Sequence, residues 1–584
     1  MATAMPHGSP QFPTISSSIE ASTPEKMDAS LQVLQAHKND WVAVSVQERI
    51  SMIEGLIQDI ATIAPRWVAA CCRAKGIHND PDFEGEEWAM GPFALLKNLR
   101  QLHQSLNDIA KHGHPLIPGP LTIREDGQVV VQVFPQTGYD RLFFPGVTAE
   151  VWQQPGVTDA TLAQSQGVIY QDRAHAGKVC LVLGAGNVSS IGPADVFYKL
   201  FVEDQVVILK MNPVNAYLGP LLETCLRKLI ERGFLRLAYG GAEEGAYLCQ
   251  HPAVDEIHIT GSDKTFDAIV FGSGTEGAAR KAANTPVLQK PVTGELGNVS
   301  PVIVVPGPWS ARDLAYQAEH LASSLTTNAG FNCNATRVII TSALWTKREA
   351  LLQQLQSVLS KVPPRSAFYP GARQRQKLFV AAHPEALQIG QANERELPWT
   401  LITGVDPART EDICFTTEAF CGVFAETALE ASDTIEYIDR AVAFANTQIW
   451  GSLSVTLIVH PSSLKDPRIA AAVERAIVNL RYGTIGVNYW AAAGYIMGVT
   501  PWGAYPGHTL NDIQSGNGVV HNTLMFSQPQ KAVIRAPFRS TPTPAWFVTQ
   551  GKLASKVFPK LVEVERDPTA GKISGVLWSA LTGL

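Results

Sequence analysis

Apolar side chains recur along this chain with two different periods, and the switch between them marks its elements. Ile50, Ile53, Leu56, Ile57, Ile60 and Ile63 fall at helical spacing, so residues 49–63 predict a helix with one apolar face. Between residues 121 and 151 the pattern changes: QVVVQVFP alternates and is rich in β-branched residues, which predicts a strand. Units of strand followed by helix then begin. Lys178–Leu183 is a buried strand that ends at Gly184-Ala-Gly-Asn187. A helix runs to Leu200, Gln205–Lys210 is a strand, residues 218–232 a helix, and 235–239 and 256–259 strands. A second series follows, with a strand at 301–305, a helix at 313–326, the loop Asn328-Ala-Gly-Phe-Asn-Cys333 and a strand at 336–341. Further strands are expected near 422–425, 453–459 and 485–488. Strands alternating with helices imply an α/β fold with mostly parallel sheets covered on both faces. The expected division is a tail over 1–30, a first lobe over 31–290, a second over 291–525 and an extension over 526–584, with the lobe boundary near 289–294.

Composition narrows the class. At 584 residues the chain is too long for one core. With 45% hydrophobic residues, 17% charged residues and a net charge of −6, it has neither the basic stripe of a nucleic-acid binder nor an acidic solvating block. Eight scattered cysteines form no CxxC pair, so neither a metal site nor a redox dithiol is expected, and reduced thiols in the cytoplasm are the simpler reading. Residues 1–30 are rich in Ser, Thr, Pro and Ala without an apolar core, which predicts a disordered tail rather than a secretory signal. No run of eighteen apolar residues predicts a membrane span. The apolar stretch 573–584 is too short to span and predicts a packing or subunit-contact helix.

Five places carry candidate chemistry. Cys333 follows Ala329-Gly330 in a loop between a helix and a β-branched strand, where a nucleophilic thiol can be exposed; its ordinary alternative is a buried structural thiol. Glu295, in Thr293-Gly-Glu-Leu-Gly-Asn298, is a lone acid in a turn-like stretch, either a general base or a solvated glutamate. Asn187 lies where a buried parallel strand ends, placed to donate to an oxyanion or to serve as a turn residue. Lys210 ends the strand VVILK and suits contacts to a ribose or phosphate, or is strand-end polarity. Gly261-Ser262 opens a helix, which suits a pyrophosphate, although no GxGxxG is present.

Taken in order, these features resemble the aldehyde dehydrogenase superfamily over roughly residues 40 to 525. The resemblance rests on Asn187 with Lys210, on Ile259-Thr260-Gly261-Ser262, on Glu295-Leu296-Gly297, on Gly330-Phe-Asn-Cys333 and on Glu418-Ala-Phe420. Ala445-Asn446, Trp450-Gly451, Val487-Asn488, Pro501-Trp502-Gly503 and Ser515-Gly516-Asn517-Gly518 follow in family order. The resemblance implies two parallel-sheet α/β lobes plus a small oligomerisation element. It implies Cys333 as nucleophile, Glu295 as general base and Asn187 as oxyanion donor. Lys210, Gly261, Ser262, Glu418 and Phe420 would bind NAD or NADP. It further implies an aldehyde substrate and a homodimer or homotetramer built by strand exchange.

There are departures. Gly184-Ala-Gly-Asn187 replaces the usual aromatic-flanked asparagine and is closer to relatives that handle acyl-coenzyme A. Asn298 stands for the second glycine of the general-base motif, and Phe266 for a glycine after the phosphate turn. Pro213 replaces the acid that repels a 2′-phosphate, so NAD and NADP both stay open. Glu295 favours release of the thioester by water. The Gly-Ala-Gly-Asn loop favours coenzyme A, and with it an acylating dehydrogenase or an acyl-CoA reductase. A scaffold without turnover is the third reading. Trp450, Tyr489, Trp490, Trp502 and Tyr505 fall in segments that approach the substrate in the family, where they would suit an apolar aldehyde, or else are core or subunit-contact aromatics.

Overall fold

The β-branched runs pair as their alternation with helices requires. The chain, seen here in a computed structural model, is described over residues 19–77 and 81–582. Five parallel strands form the first sheet, in the order Leu235–Ala238, Gln205–Lys210, Lys178–Leu183, Glu256–Gly261, Val292–Leu296. The strand Gln205–Lys210 is buried at every position, because helices such as Ile191–Phe201 cover the sheet. The chain works outward from Lys178–Leu183 and then returns to Glu256–Gly261 on its other side. The carboxyl ends of these two strands therefore border a cleft of the kind that holds ligands in open α/β sheets. Register aligns Leu183 with both Lys210 and Ile259 at this edge.

Val292–Leu296 pairs with Glu256–Gly261 and so closes the first sheet, and the next strand, Ser300–Val304, belongs to the second. The first sheet therefore runs past the expected boundary at 289–294, to Leu296. The stretch around Glu295, expected to be turn-like, is a strand because its backbone pairs with Glu256–Gly261, a contact the local sequence does not announce.

The second sheet has eleven strands. Its parallel centre contains Thr484–Val487, Ser454–Ile458, Ser300–Val304, Thr336–Ser342, Val423–Leu429 and Trp399–Ile402. Pro529–Arg535 runs parallel to Thr484–Val487 and antiparallel to Thr148–Gln153. It thereby ties Leu121–Ile123, Val129–Phe134 and Thr148–Gln153 to the centre within a single chain. No exchanged strand is needed to close this junction.

The helical parts depart from expectation at both ends. Pro24–Ala43 is a helix: Thr23 caps it by accepting a hydrogen bond from the Lys26 amide, Pro24 occupies its first turn, and Met27, Leu31 and Leu34 are buried along one face. Residues 24–30 therefore leave the expected tail, and residues 1–18 lie outside the described residues. The helix expected over 49–63 extends over Val46–Lys75. At the other end, the helix Gly551–Arg566 packs on Pro81–Trp88 and on Ala94–His112 of the same chain, and Ala570–Thr582 packs on it in turn. Buried Lys97 fastens the extension, 3.7 Å from Glu565 and 3.1 Å from Asp140. Among the described residues, no helix is long and apolar enough to cross a membrane.

Candidate active site

The site forms where the carboxyl edge of the five-stranded sheet faces the second sheet. Glu295 comes from the last strand of the first sheet, with Thr260 as its register partner. Ser515-Gly516-Asn517-Gly518 clamps that strand. The Asn517 side-chain oxygen accepts from the Gly294 amide, the Asn517 and Gly518 amides donate to the Gly294 carbonyl, and the Ser515 hydroxyl donates to the Gly297 carbonyl. This is the structural use of a motif for which spacing alone suggested no role.

Glu295 is almost fully buried and receives the Trp502 indole N–H at 3.1 Å. The Cys333 thiol is near enough to act on the same carboxyl. Burial, with Asp195 and Glu418 adding like charge, pushes the Glu295 carboxyl up to about 8. Cys333 alone among the eight cysteines is partly open; the other seven are buried. Its own thiol is pushed well above the ordinary cysteine range by burial and by the carboxylates of Glu295 and Glu418. A protonated thiol against a carboxyl whose pKa lies near neutrality is poised for transfer of that proton to Glu295.

The Cys333 loop is held in a conformation the backbone does not choose freely. Asn328 and Ala329 sit at φ of 55° and 56°, in the left-handed region. Gly330 follows at φ 80°, and a Cβ there would lie 2.8 Å from the Cys421 backbone. Polar contacts fix this shape. The Asn328 amide donates to Glu86, its side chain donates to the carbonyls of Asn187 and Phe331, and Lys75 reaches its Oδ1 at 2.9 Å. Buried Arg337 bridges the Gly330 and Cys421 carbonyls, tying the nucleophile loop to the loop that carries Glu418.

Asn187 lies within this network, 2.8 Å from the Phe331 carbonyl through one of its amide hydrogens. The second hydrogen of the same group is the one a developing oxyanion would use. The structure thus brings Asn187, Glu295 and Cys333 to one place. Glu418 joins them from the second sheet. It packs on Gly297, where a Cβ would lie 2.0 Å from its Oε2. Its Oε1 is buried without a hydrogen-bond partner, and burial raises its carboxyl to about 7. Phe420, at φ 42°, packs edge-on to Tyr369 at 4.9 Å. Lys210 is buried at the carboxyl edge with no hydrogen-bond or ion-pair partner among the described residues, and burial lowers its ammonium to about 8. Gly261 and Ser262 are exposed at the start of the helix Asp263–Phe271, and the Ser262 hydroxyl caps that helix at 3.2 Å.

Sequence reading missed two residues here. Asp195 is buried in Ile191–Phe201, accepts from the Thr260 hydroxyl at 2.8 Å and is pushed up to about 7 by burial. Arg337 opens the strand Thr336–Ser342. Each is a charge inside an apolar run, a signal the sequence contains but gives no partner for. Of the five aromatics expected near the substrate, Tyr489 and Trp490 line a cavity beside Cys333. Trp502 is fully buried on Glu295, Trp450 packs in the core of the second lobe, and Tyr505 lies against Lys531. Away from this site, His383, Asp412 and Cys414 bring potential metal ligands within 4.8 Å of one another, with Asp412 also capping the helix Ile413–Thr416.

Residues 174–373 match the family model described as the aldehyde dehydrogenase family. Among curated proteins, the chain is similar to an N-succinylglutamate 5-semialdehyde dehydrogenase of Novosphingobium aromaticivorans, 28% identical over 166 residues, which is 28% of this chain and 32% of that one. It is also similar to the human 4-trimethylaminobutyraldehyde dehydrogenase, 32% identical over 149 residues, 25% of this chain and 26% of that one. The alignments thus span about a quarter to a third of these relatives' own lengths. Solved structures agree over far more of the fold. A putative aldehyde dehydrogenase from Burkholderia cenocepacia superposes with a TM-score of 0.59 at 18% identity, covering 91% of this chain and 96% of that one. The NADP complex of a glyceraldehyde-3-phosphate dehydrogenase from Bacillus halodurans does so with 0.57 at 14%, covering 88% and 92%.

Proposed function

We propose, from the family match over residues 174–373 and the site geometry, that the chain is an aldehyde dehydrogenase that oxidises an aldehyde to a carboxylic acid, with NAD or NADP as hydride acceptor and Cys333 as covalent nucleophile. The observation that carries this reading is the contact between the Cys333 thiol and the buried carboxyl of Glu295, whose pKa lies near 8.

Glu295 takes the thiol proton as sulfur attacks the aldehyde carbon. The oxygen that gains charge is held by the free amide hydrogen of Asn187 and by the Cys333 backbone N–H. Loss of hydride from the thiohemiacetal carbon leaves a thioester on Cys333. Once Glu295 has passed the thiol proton to solvent, it removes a proton from water as the water attacks the thioester, and this proton goes to the departing sulfur, releasing acid and thiol. The nicotinamide cofactor supplies the two-electron acceptor. Two features of the chain suit it: Glu418 offers an unpartnered buried acceptor for a ribose hydroxyl, and Lys210 offers, at the carboxyl edge, a donor with no hydrogen-bond or ion-pair partner among the described residues for ribose or phosphate. Pro213 is exposed beyond Lys210 and places no carboxylate there, which suits acceptance of NADP as well as NAD.

The test is reduction of NAD+ and NADP+ over an aldehyde panel, with and without coenzyme A, using Cys333→Ala as the blank. Turnover without coenzyme A that disappears in the variant supports the reading. Turnover only with coenzyme A replaces water as acceptor and removes the second role of Glu295. No turnover with any pair favours a scaffold that keeps the fold without the chemistry.

A further inference from the structure

Beside the loop that carries Cys333 lies a cavity partly open to solvent. Its walls come from three distant parts of the sequence: Phe83, Met90 and Phe93 from the N-terminal helices, Tyr489 to Met497 after the strand Thr484–Val487, and Trp546, Phe547 and Phe558 from the C-terminal extension. The cavity borders the reaction centre. Asn334, the residue after Cys333, lines it and receives the Trp490 indole on its carbonyl at 2.9 Å. Tyr495 lines it as well, belongs to the apolar cluster against which Cys333 packs, and hydrogen-bonds Ser190 at 3.1 Å.

The wall is overwhelmingly aromatic and aliphatic, and its indoles are already committed. Trp490 donates to Asn334, and Trp546 donates to the Tyr489 hydroxyl at 3.3 Å. The cavity's charged residues are Lys97, paired with Asp140 and Glu565, Glu86, paired with Arg365, and Asp82. A ligand there meets few groups able to replace lost water contacts, so an apolar chain gains on entry and a charged one loses. The extension forms one wall through packing on Pro81–Trp88, which gives the extra sequence beyond the second sheet a job.

We propose that this cavity binds the alkyl chain of a long, unbranched apolar aldehyde, with the carbonyl at Cys333 and the C-terminal extension as one wall of the chain's channel. The proposal rests on the aldehyde-oxidising reading and names its substrate class.

The experiment is a chain-length series from propanal to dodecanal with the full-length protein, together with binding of dodecanoate followed by tryptophan fluorescence, which needs no turnover. Burial of successive methylenes should raise kcat/KM by up to about threefold each until the cavity is filled. Ala545→Trp, which fills the cavity from the extension, should lower the dodecanal-to-propanal ratio of kcat/KM at least tenfold and weaken dodecanoate binding by a similar factor. Its unfolding midpoint, measured alongside, must match that of the unmodified protein, and Ala493→Phe repeats the test from the opposite wall. A kcat/KM independent of chain length, with no dodecanoate binding, overturns the cavity assignment and leaves aldehyde oxidation standing. Absence of turnover with every aldehyde overturns the proposed reaction, and dodecanoate binding that both variants weaken then still supports the cavity.

Discussion

Buried charge is handled differently in the reaction cleft and in the rest of the molecule. Lys531, on the strand Pro529–Arg535, is buried and directs its ammonium at the carbonyls of Ile477, Val478 and Leu480, each within 3.0 Å, at the end of the helix Pro467–Asn479. Arg49 is equally buried and is satisfied by Asp204 and by the Trp41 and Val44 carbonyls. In the cleft, Lys210 has no such acceptor, Glu418 leaves one oxygen unpartnered, and Asp195 and Glu295 share one buried region with their carboxyls pushed up to about 7 and 8. The loop beside them holds Asn328 and Ala329 in the left-handed region. Neither burial nor a lone unsatisfied atom marks function, since Gln153 and Glu565 also leave buried atoms unpartnered; what sets the cleft apart is that its unfinished polarity and raised carboxyls gather around Cys333.

Breaking the two regions should give opposite signatures. The largest effect is expected for Glu295→Gln, which keeps the shape and removes the base. Steady-state turnover should fall about 10²- to 10⁴-fold, with the unfolding midpoint held or raised because a costly buried acid has gone. An unchanged rate would show that another group serves as base. Lys531→Met comes next and should act on stability, losing about 2–4 kcal/mol in denaturant titration as three helix-end carbonyls lose their donor, with cofactor KM unaffected. Lys210→Met should do the reverse, raising cofactor KM about tenfold, a loss near 1.4 kcal/mol, without lowering the unfolding midpoint. If Lys210→Met unfolds the protein as readily as Lys531→Met does, the distinction between the two lysines fails.

The smallest effect is the pH profile. Glu295 works as a base only when deprotonated, so kcat should rise with pH through about 8 and flatten above it. Stability should move the other way. The carboxyls of Asp195, Glu295 and Glu418 are raised by folding, so the folded state holds protons the unfolded chain has released. Their contribution is complete below the ordinary carboxylate range and is lost as pH rises through about 7 to 8. A midpoint that instead climbs over that window in the protein without cofactor would contradict the burial assigned to these acids.

Much of the fold was legible because long apolar runs have one physical solution. Lys178–Leu183 and Gln205–Lys210 are strands at the bounds their side chains suggested. Cys333 and Glu295 were legible from their motifs, although nothing in Glu295-Leu-Gly297 says that the glycine is there to let Glu418 approach. The start of the helix Pro24–Ala43 was hidden because it follows directly on a Ser-, Thr- and Pro-rich stretch, while its cap and its buried Met27, Leu31 and Leu34 point to a helix. Trp502, expected as a substrate contact or a core aromatic, is buried and donates a hydrogen bond to Glu295.

The sequence by itself determined the period of each element, the order of the motifs and the residue types able to carry acyl chemistry, since these follow from local patterning and covalent chemistry. Only the tertiary structure decided that Val292–Leu296 closes the first sheet, that Pro529–Arg535 completes the second within its own chain, and that the extension walls a cavity beside Cys333. The physical reason is that strand partners, burial and the pKa shifts burial causes are set by contacts between residues hundreds of positions apart, and no local pattern encodes which of those contacts will form.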